Sequence, residues 1–175
     1  MRSTLVGGIF VIALVSPAVA RAQSRDDLAR ADSLFNAAKA LLDEGQVTDA
    51  CAKFAESKHL APGLGVTLYL ADCYERIGRF ASAWTEFRSA EGLALQRHDK
   101  RAAVARARAD ALNPKLDRLT VTLAPTVPQA GLQVLVDGTA LTSEEMGLPA
   151  PVDPGDHVVV VSSQGQVRRT IKAHL

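Results

Sequence analysis

Shifted by 33 residues, the chain falls on itself. Ala38 lands on Ala71, Leu41 on Tyr74, Gly45 on Gly78, Val47 on Phe80, Ala50 on Ala83, Phe54 on Phe87 and Ser57 on Ala90. Each pair keeps its size class in one register, and a self-similar period of this length demands stacked supersecondary units. The units are helical. Leu28, Ala31, Leu34, Phe35, Ala38, Leu41 and Leu42 recur at spacings of three and four. Gly45, which tolerates positive φ, stops that first helix. The pattern predicts further helices from about Val47 to His59, Leu64 to Ile77 and Phe80 to Arg97, punctuated by Pro62-Gly63 and Gly78. Small residues at 38, 50, 71 and 83 let antiparallel helices approach closely, and Phe54 and Phe87 fill the gap between hairpins. A 5% aromatic content agrees with alanine-rich, close-packed helices.

These residues resemble a pair of tetratricopeptide repeats, a family with a period of about 34 residues. Gly45, Ala50, Phe54 and Pro62 carry the likeness in the first unit. Leu70, Ala71, Tyr74, Gly78, Phe80, Ala83, Phe87 and Ala90 carry it in the second. Leu34 stands where a tryptophan or similar residue is usual, and Ala37 where a leucine is usual. The resemblance spans residues 24–113, with two hairpins and a capping helix from Asp99 to Leu112. Two repeats bury their apolar faces only on each other, so an end cap is needed. Arg101, Arg106 and Arg108 on that last helix fall on more than one face and read as a solvated surface rather than a phosphate site.

The first residues form an address. Arg2 precedes an apolar run from Leu5 to Val15, Pro17 breaks it, and Ala18-Val19-Ala20 and Ala20-Arg21-Ala22 are small-x-small cleavage patterns. Residues 1–22 therefore read as a secretory signal peptide cut after Ala20 or Ala22. The competing reading is a membrane anchor, but the run falls short of the roughly 20 apolar residues a span requires. The expected location is periplasmic or secreted, with no stable membrane insertion after cleavage. In that oxidising setting Cys51, early in the second helix, and Cys73, late in the third, can join neighbouring helices by a disulfide. The alternative is two buried free thiols.

Pro114 marks a switch to β structure. Leu119, Val121 and Leu123 alternate with Thr120 and Thr122 as a half-buried strand. Pro125 and Pro128 lie in a turn region, and Leu132, Val134 and Val136 form a second strand ended by the hairpin signal Asp137-Gly138. Asp153-Pro154-Gly155-Asp156 is a turn, His157 to Ser162 an apolar strand, and Gln166 to Lys172 a last strand after Gln164-Gly165. Val136-Asp137-Gly138, Pro149-Ala150-Pro151 and Val152 to His157 resemble a PEGA-type β domain over 118–175. That family would place one further strand after Leu175, and its absence would leave an edge open to another chain. Signal, repeats and β domain together resemble the exported repeat proteins common in myxobacteria, as do Leu70 to Glu75 and Asn113 to Leu119. The implied fold class is α+β: helical hairpins followed by a small antiparallel β-sandwich-like domain.

Signals for chemistry are sparse. Gly63-Leu64-Gly65 is a helix junction, and His59, His98, His157 and His174 lack metal-ligand spacing. Ser82 has no nucleophile-elbow context. The pairs Asp26-Asp27, Asp43-Glu44 and Glu144-Glu145 read as caps or solvated faces. The expectation is a non-enzyme without cofactor or metal. A net charge of +1 offers no field to draw nucleic acid. The resemblance implies a concave face on the first helix of each hairpin: Asp32, Phe35, Lys39 and Asp43, then Leu68, Asp72, Glu75 and Arg76. Its mixed charges suit a protein or peptide partner. The family's carboxylate clamp is not matched, because Phe35 and Lys39 replace its lysine and asparagine. The leading expectation is a protein-binding adaptor. The alternatives are an envelope component that self-associates through its β edge, and an enzyme with an unrecognised site.

Overall fold

The structure, a computed structural model, describes residues 25–126 and 131–175. The signal segment and Pro128 lie outside the described residues. The fold is α+β: five helices, then antiparallel sheets. The helices are α1 (Arg25–Asp43), α2 (Val47–Leu60), α3 (Leu64–Arg76), α4 (Phe80–Gln96) and α5 (Arg101–Leu112). Each packs against the next in sequence.

The 33-residue repeat is present in the backbone. Gly45 and Gly78 both take φ +78°. Around Gly45, amides 45, 46 and 47 donate to the carbonyls of Leu42, Leu41 and Gly45; around Gly78, amides 78, 79 and 80 donate to Glu75, Tyr74 and Gly78. Each bond is the other's image 33 residues on. A third turn of this kind, where the His98 and Asp99 amides donate to Leu95 and Ala94, uses His98 at φ 52° in place of glycine.

The core follows from the same period. Ala38, Ala50, Ala71 and Ala83 are completely buried, so the helix backbones sit close. Phe54 of α2 lies against Phe35 of α1 and Tyr69 of α3, with ring centroids 5.4 and 5.3 Å away. Phe87 of α4 packs with Ala71, Ala83, Ala109 and Leu112, so it joins α3, α4 and α5 as Phe54 joins α1, α2 and α3. Helix α5 therefore covers the open end of the second hairpin. A disulfide links Cys51 on α2 to Cys73 on α3, with Cα atoms 5.5 Å apart.

A short 3-10 turn (Asn113–Lys115) leads into the β region. Strands β1 (Asp117–Thr120) and β4 (Pro149–Val152) form one antiparallel pair. Strands β2 (Leu132–Val136), β3 (Thr139–Ala140), β5 (Asp156–Ser163) and β6 (Gln166–His174) form a second antiparallel sheet in the order β3-β2-β5-β6. The Asp137-Gly138 hairpin is present, with φ 49° and 82°, as a type I′ turn requires. Two expectations are corrected. The strand predicted through Leu123 ends at Thr120, and Pro149–Val152, read only as a motif, is its strand partner. Proline tolerates this place because N–H directions alternate along a strand: Ala150 and Val152 face β1, and the missing donors of Pro149 and Pro151 fall on the outer side.

Candidate functional site

Two surfaces compete for the role of binding site. The first is the face predicted on α1 and α3. Asp32, Lys39 and Asp43 are exposed there, as is Arg76. Phe35 and Leu68 do not belong to it. Phe35 sits edge-on to Phe54 and, at 5.0 Å, to Tyr69, while Leu68 packs on the clusters around Phe87 and Ala94. Both are half-buried core residues, because the neighbouring helix reaches over them.

Asp72 and Glu75 are engaged within the chain. Arg108 of α5 donates to Asp72 at 3.1 Å and to Glu75 at 2.7 Å, and its guanidinium lies 4.8 Å above the Phe87 ring. The bond to Glu75 pushes the Arg108 pKa up, so it stays cationic. A basic helix read as merely solvated thus supplies the residue that closes this face. The charges also alternate across the first helices. Lys39 and Asp43 correspond to Asp72 and Arg76 by the 33-residue shift, and these to Arg106 and Asp110 by a shift of 34. Asp72 and Arg76 are 2.7 Å apart, and Arg106 and Asp110 are 3.8 Å apart. The pairs on α3 and α5 satisfy each other, and the mosaic presents no single sign to a ligand.

The second surface is a cleft of about 810 Å³ between α4 and the two sheets. Its apolar lining is Leu119, Val121, Val136, Leu141, Leu148 and Ala150, and Thr85, Glu86, Thr139 and Asp156 are among its polar lining. A polar latch belongs to the same lining. The Asp153 carboxylate accepts from the Ser82 amide at 2.9 Å, from the Ser82 hydroxyl, and from Arg79 Nε at 2.8 Å. Ser82 lies in the first turn of α4, whose N-cap, Arg79, makes no side-chain capping bond. A carboxylate from the β region therefore caps a helix of the repeat region, where negative charge is favoured. Burial pushes the Asp153 carboxyl up, but the bonds from Ser82 and Arg79 outweigh it and the group ends below its usual range. Arg79 also stacks 4.6 Å above Tyr74.

His157 extends the latch. Its Nδ1 lies 2.6 Å from Asp137 Oδ2 and its Nε2 2.7 Å from the Asp153 carbonyl. Asp137 also accepts the Val158 amide at 2.8 Å. Both ring nitrogens of a 6% exposed imidazole thus face acceptors. Both must donate, which favours the imidazolium. The Asp137 bond accordingly raises the His157 pKa, and the same bond lowers that of Asp137. Both nitrogens of His157 are held by acceptors, and Ser82 is bound to a carboxylate rather than to an imidazole.

Sequence reading missed Asp153 as a functional residue, because Asp-Pro-Gly-Asp reads completely as a turn. One signal was available. The 33-residue shift puts Ser82 on Asp49, so the second unit lacks the first-turn acid that the first unit carries. Among the described residues, no three His, Cys, Asp or Glu side chains cluster as a metal site requires, and no helix is long and apolar enough to cross a membrane. In comparison with known proteins, no family model matches the chain, and no curated protein or solved structure matches it.

Proposed function

We propose that this chain is a non-catalytic, extracytoplasmic adaptor in which tetratricopeptide-type hairpins and a PEGA-like, sandwich-like β unit together hold a segment of a protein partner. The observation that carries this reading is the partly apolar cleft between α4 and the sheets, open to solvent and braced by the Asp153 latch. Apolar concavities with a few fixed polar groups are where ligands bury most surface. Leu148, 60% exposed at its lining, is a large apolar side chain with area left to cover. The committed hydrogen bonds of Ser82 and His157 support binding rather than catalysis.

The test is capture from the native envelope with a photo-crosslinker in place of Leu148, compared with one in place of Lys39. Crosslinks to one protein from position 148, lost on Ala150→Arg, support the cleft. A second reading keeps the partner on the exposed charges Asp32, Lys39, Asp43 and Arg76. Crosslinks from position 39 alone, abolished by Lys39→Glu with Arg76→Glu, would put that reading first. N-terminal sequencing of exported material checks the signal peptide; retention of Met1 in a membrane fraction removes it.

A further inference from the structure

A surface separate from the cleft carries its own assignment. Strand β6 is the end strand of the four-stranded sheet, bonded to β5 on one side only. It runs nine residues, and beyond the bulge at Arg168 its regular stretch from Arg169 to His174 has no strand on its outer side among the described residues, which leaves an open template. The other sheet edges among the described residues are guarded differently. Strand β3 has two residues, β1 has four, and β4 presents Pro149 and Pro151. On β6 the protections are a bulge at Arg168, where the register with β5 shifts, and charge.

That charge has one sign. Arg168, Arg169 and Lys172 lie along the strand with no acid among its residues, and His174 at its end lies 2.7 Å from Asp156 of β5. Like charges directly opposite across a ladder destabilise it, and opposite charges stabilise it. A second copy is therefore a poor occupant. Antiparallel pairing centred on Thr170 sets Arg168 against Lys172 on both sides, and parallel in-register pairing sets every cation against itself. This argues against self-association through the β edge. An incoming strand with acids meets the reverse condition, and Val167 at 65% and Ile171 at 41% exposure offer it apolar contact. The geometry points to the outer edge of β6 as a docking edge for an extended acidic segment of another protein, added as a fifth strand beside Arg168, Arg169 and Lys172.

The test titrates the purified protein with three labelled nine-residue peptides by fluorescence anisotropy. One alternates Glu and Val, one alternates Lys and Val, and the third is the Glu/Val peptide N-methylated at alternate amides. The Glu/Val peptide binds at least about tenfold tighter than Lys/Val, as several opposite-charge pairs imply. N-methylation, which blocks the ladder and keeps the charge, abolishes binding. Bound peptide slows amide exchange in β6. Arg169→Glu with Lys172→Glu, both on exposed positions, inverts the preference with the circular dichroism unchanged. Equal binding of the N-methylated and plain peptides, equal binding of Glu/Val and Lys/Val, or no binding of either overturns the assignment. So does a concentration-dependent dimer that the double reversal removes, which would put a second copy on the edge.

Discussion

The helical and β regions reach order by different means. The helical region buries Phe54, Leu64, Leu70, Phe87, Leu112 and a set of fully covered alanines, and adds a covalent tie between α2 and α3. Among the described β residues, the buried hydrophobics are Val134, Val152 and Val159, joined by the polar His157 and Ser162. A β unit with so little apolar burial falls below what a small domain needs to stand alone. Its polar latch onto α4 therefore has a structural role that no contact inside the repeats has. The repeats make their own order; the β unit depends on a neighbour.

The sharpest way to break this contrast is to separate the two regions. A fragment of residues 25–115 keeps a cooperative helical transition by circular dichroism, whereas 116–175 alone gives an undispersed amide spectrum. A dispersed spectrum from the β fragment would end the comparison. Next in size is the disulfide. Replacing Cys51 and Cys73 with alanine removes a tie across 22 residues and costs about 3 kcal/mol in denaturant unfolding. Reductant has the same effect on the wild type and none on the variant.

Asp153→Asn costs about 1–3 kcal/mol, since it weakens charge-assisted bonds from a partly buried carboxylate to Arg79 and Ser82. The loss belongs to the β region: amide exchange rises there, while α1 and α2 stay protected. Uniform loss of protection would mean that the two regions unfold as one. The smallest effect is a pH dependence. The His157 pKa is raised, so its contribution is complete below the unfolded value of 6.5 and fades as pH rises through the folded one. The Asp137 pKa is lowered, so its contribution is complete above 3.8 and fades as pH falls through the folded one. The latch is strongest between those unfolded values. His157→Gln flattens the alkaline side of the stability profile; an unchanged profile would remove His157 from the latch.

Legibility in the sequence tracks how local the cause is. Helix ends were readable to within about two residues, because glycine turns and apolar periodicity act over one hairpin. The disulfide was readable as one of two outcomes, because Cys51 and Cys73 fall on adjacent helices. Phe35 and Leu68 were misplaced, since their position on an exposed-looking stripe gives no hint that Tyr69 and α5 cover them. Strand β4 was hidden by Pro149 and Pro151, which argue against a strand until its edge position is known. The Ser82–Asp153 bond spans 71 residues and has no periodic signature. Its trace in the sequence is the serine that replaces the acid of the first unit.

That bond also fixes an order in time. The chain emerges N-terminus first, so Ser82 appears 71 residues before Asp153. Throughout that interval the first turn of α4 exists without its acceptor, while everything needed for the α2–α3 pair has already emerged. Helix α4 therefore gets its N-terminal acceptor only when the tail arrives, and a chain truncated before Asp153 is expected to fray at the start of α4.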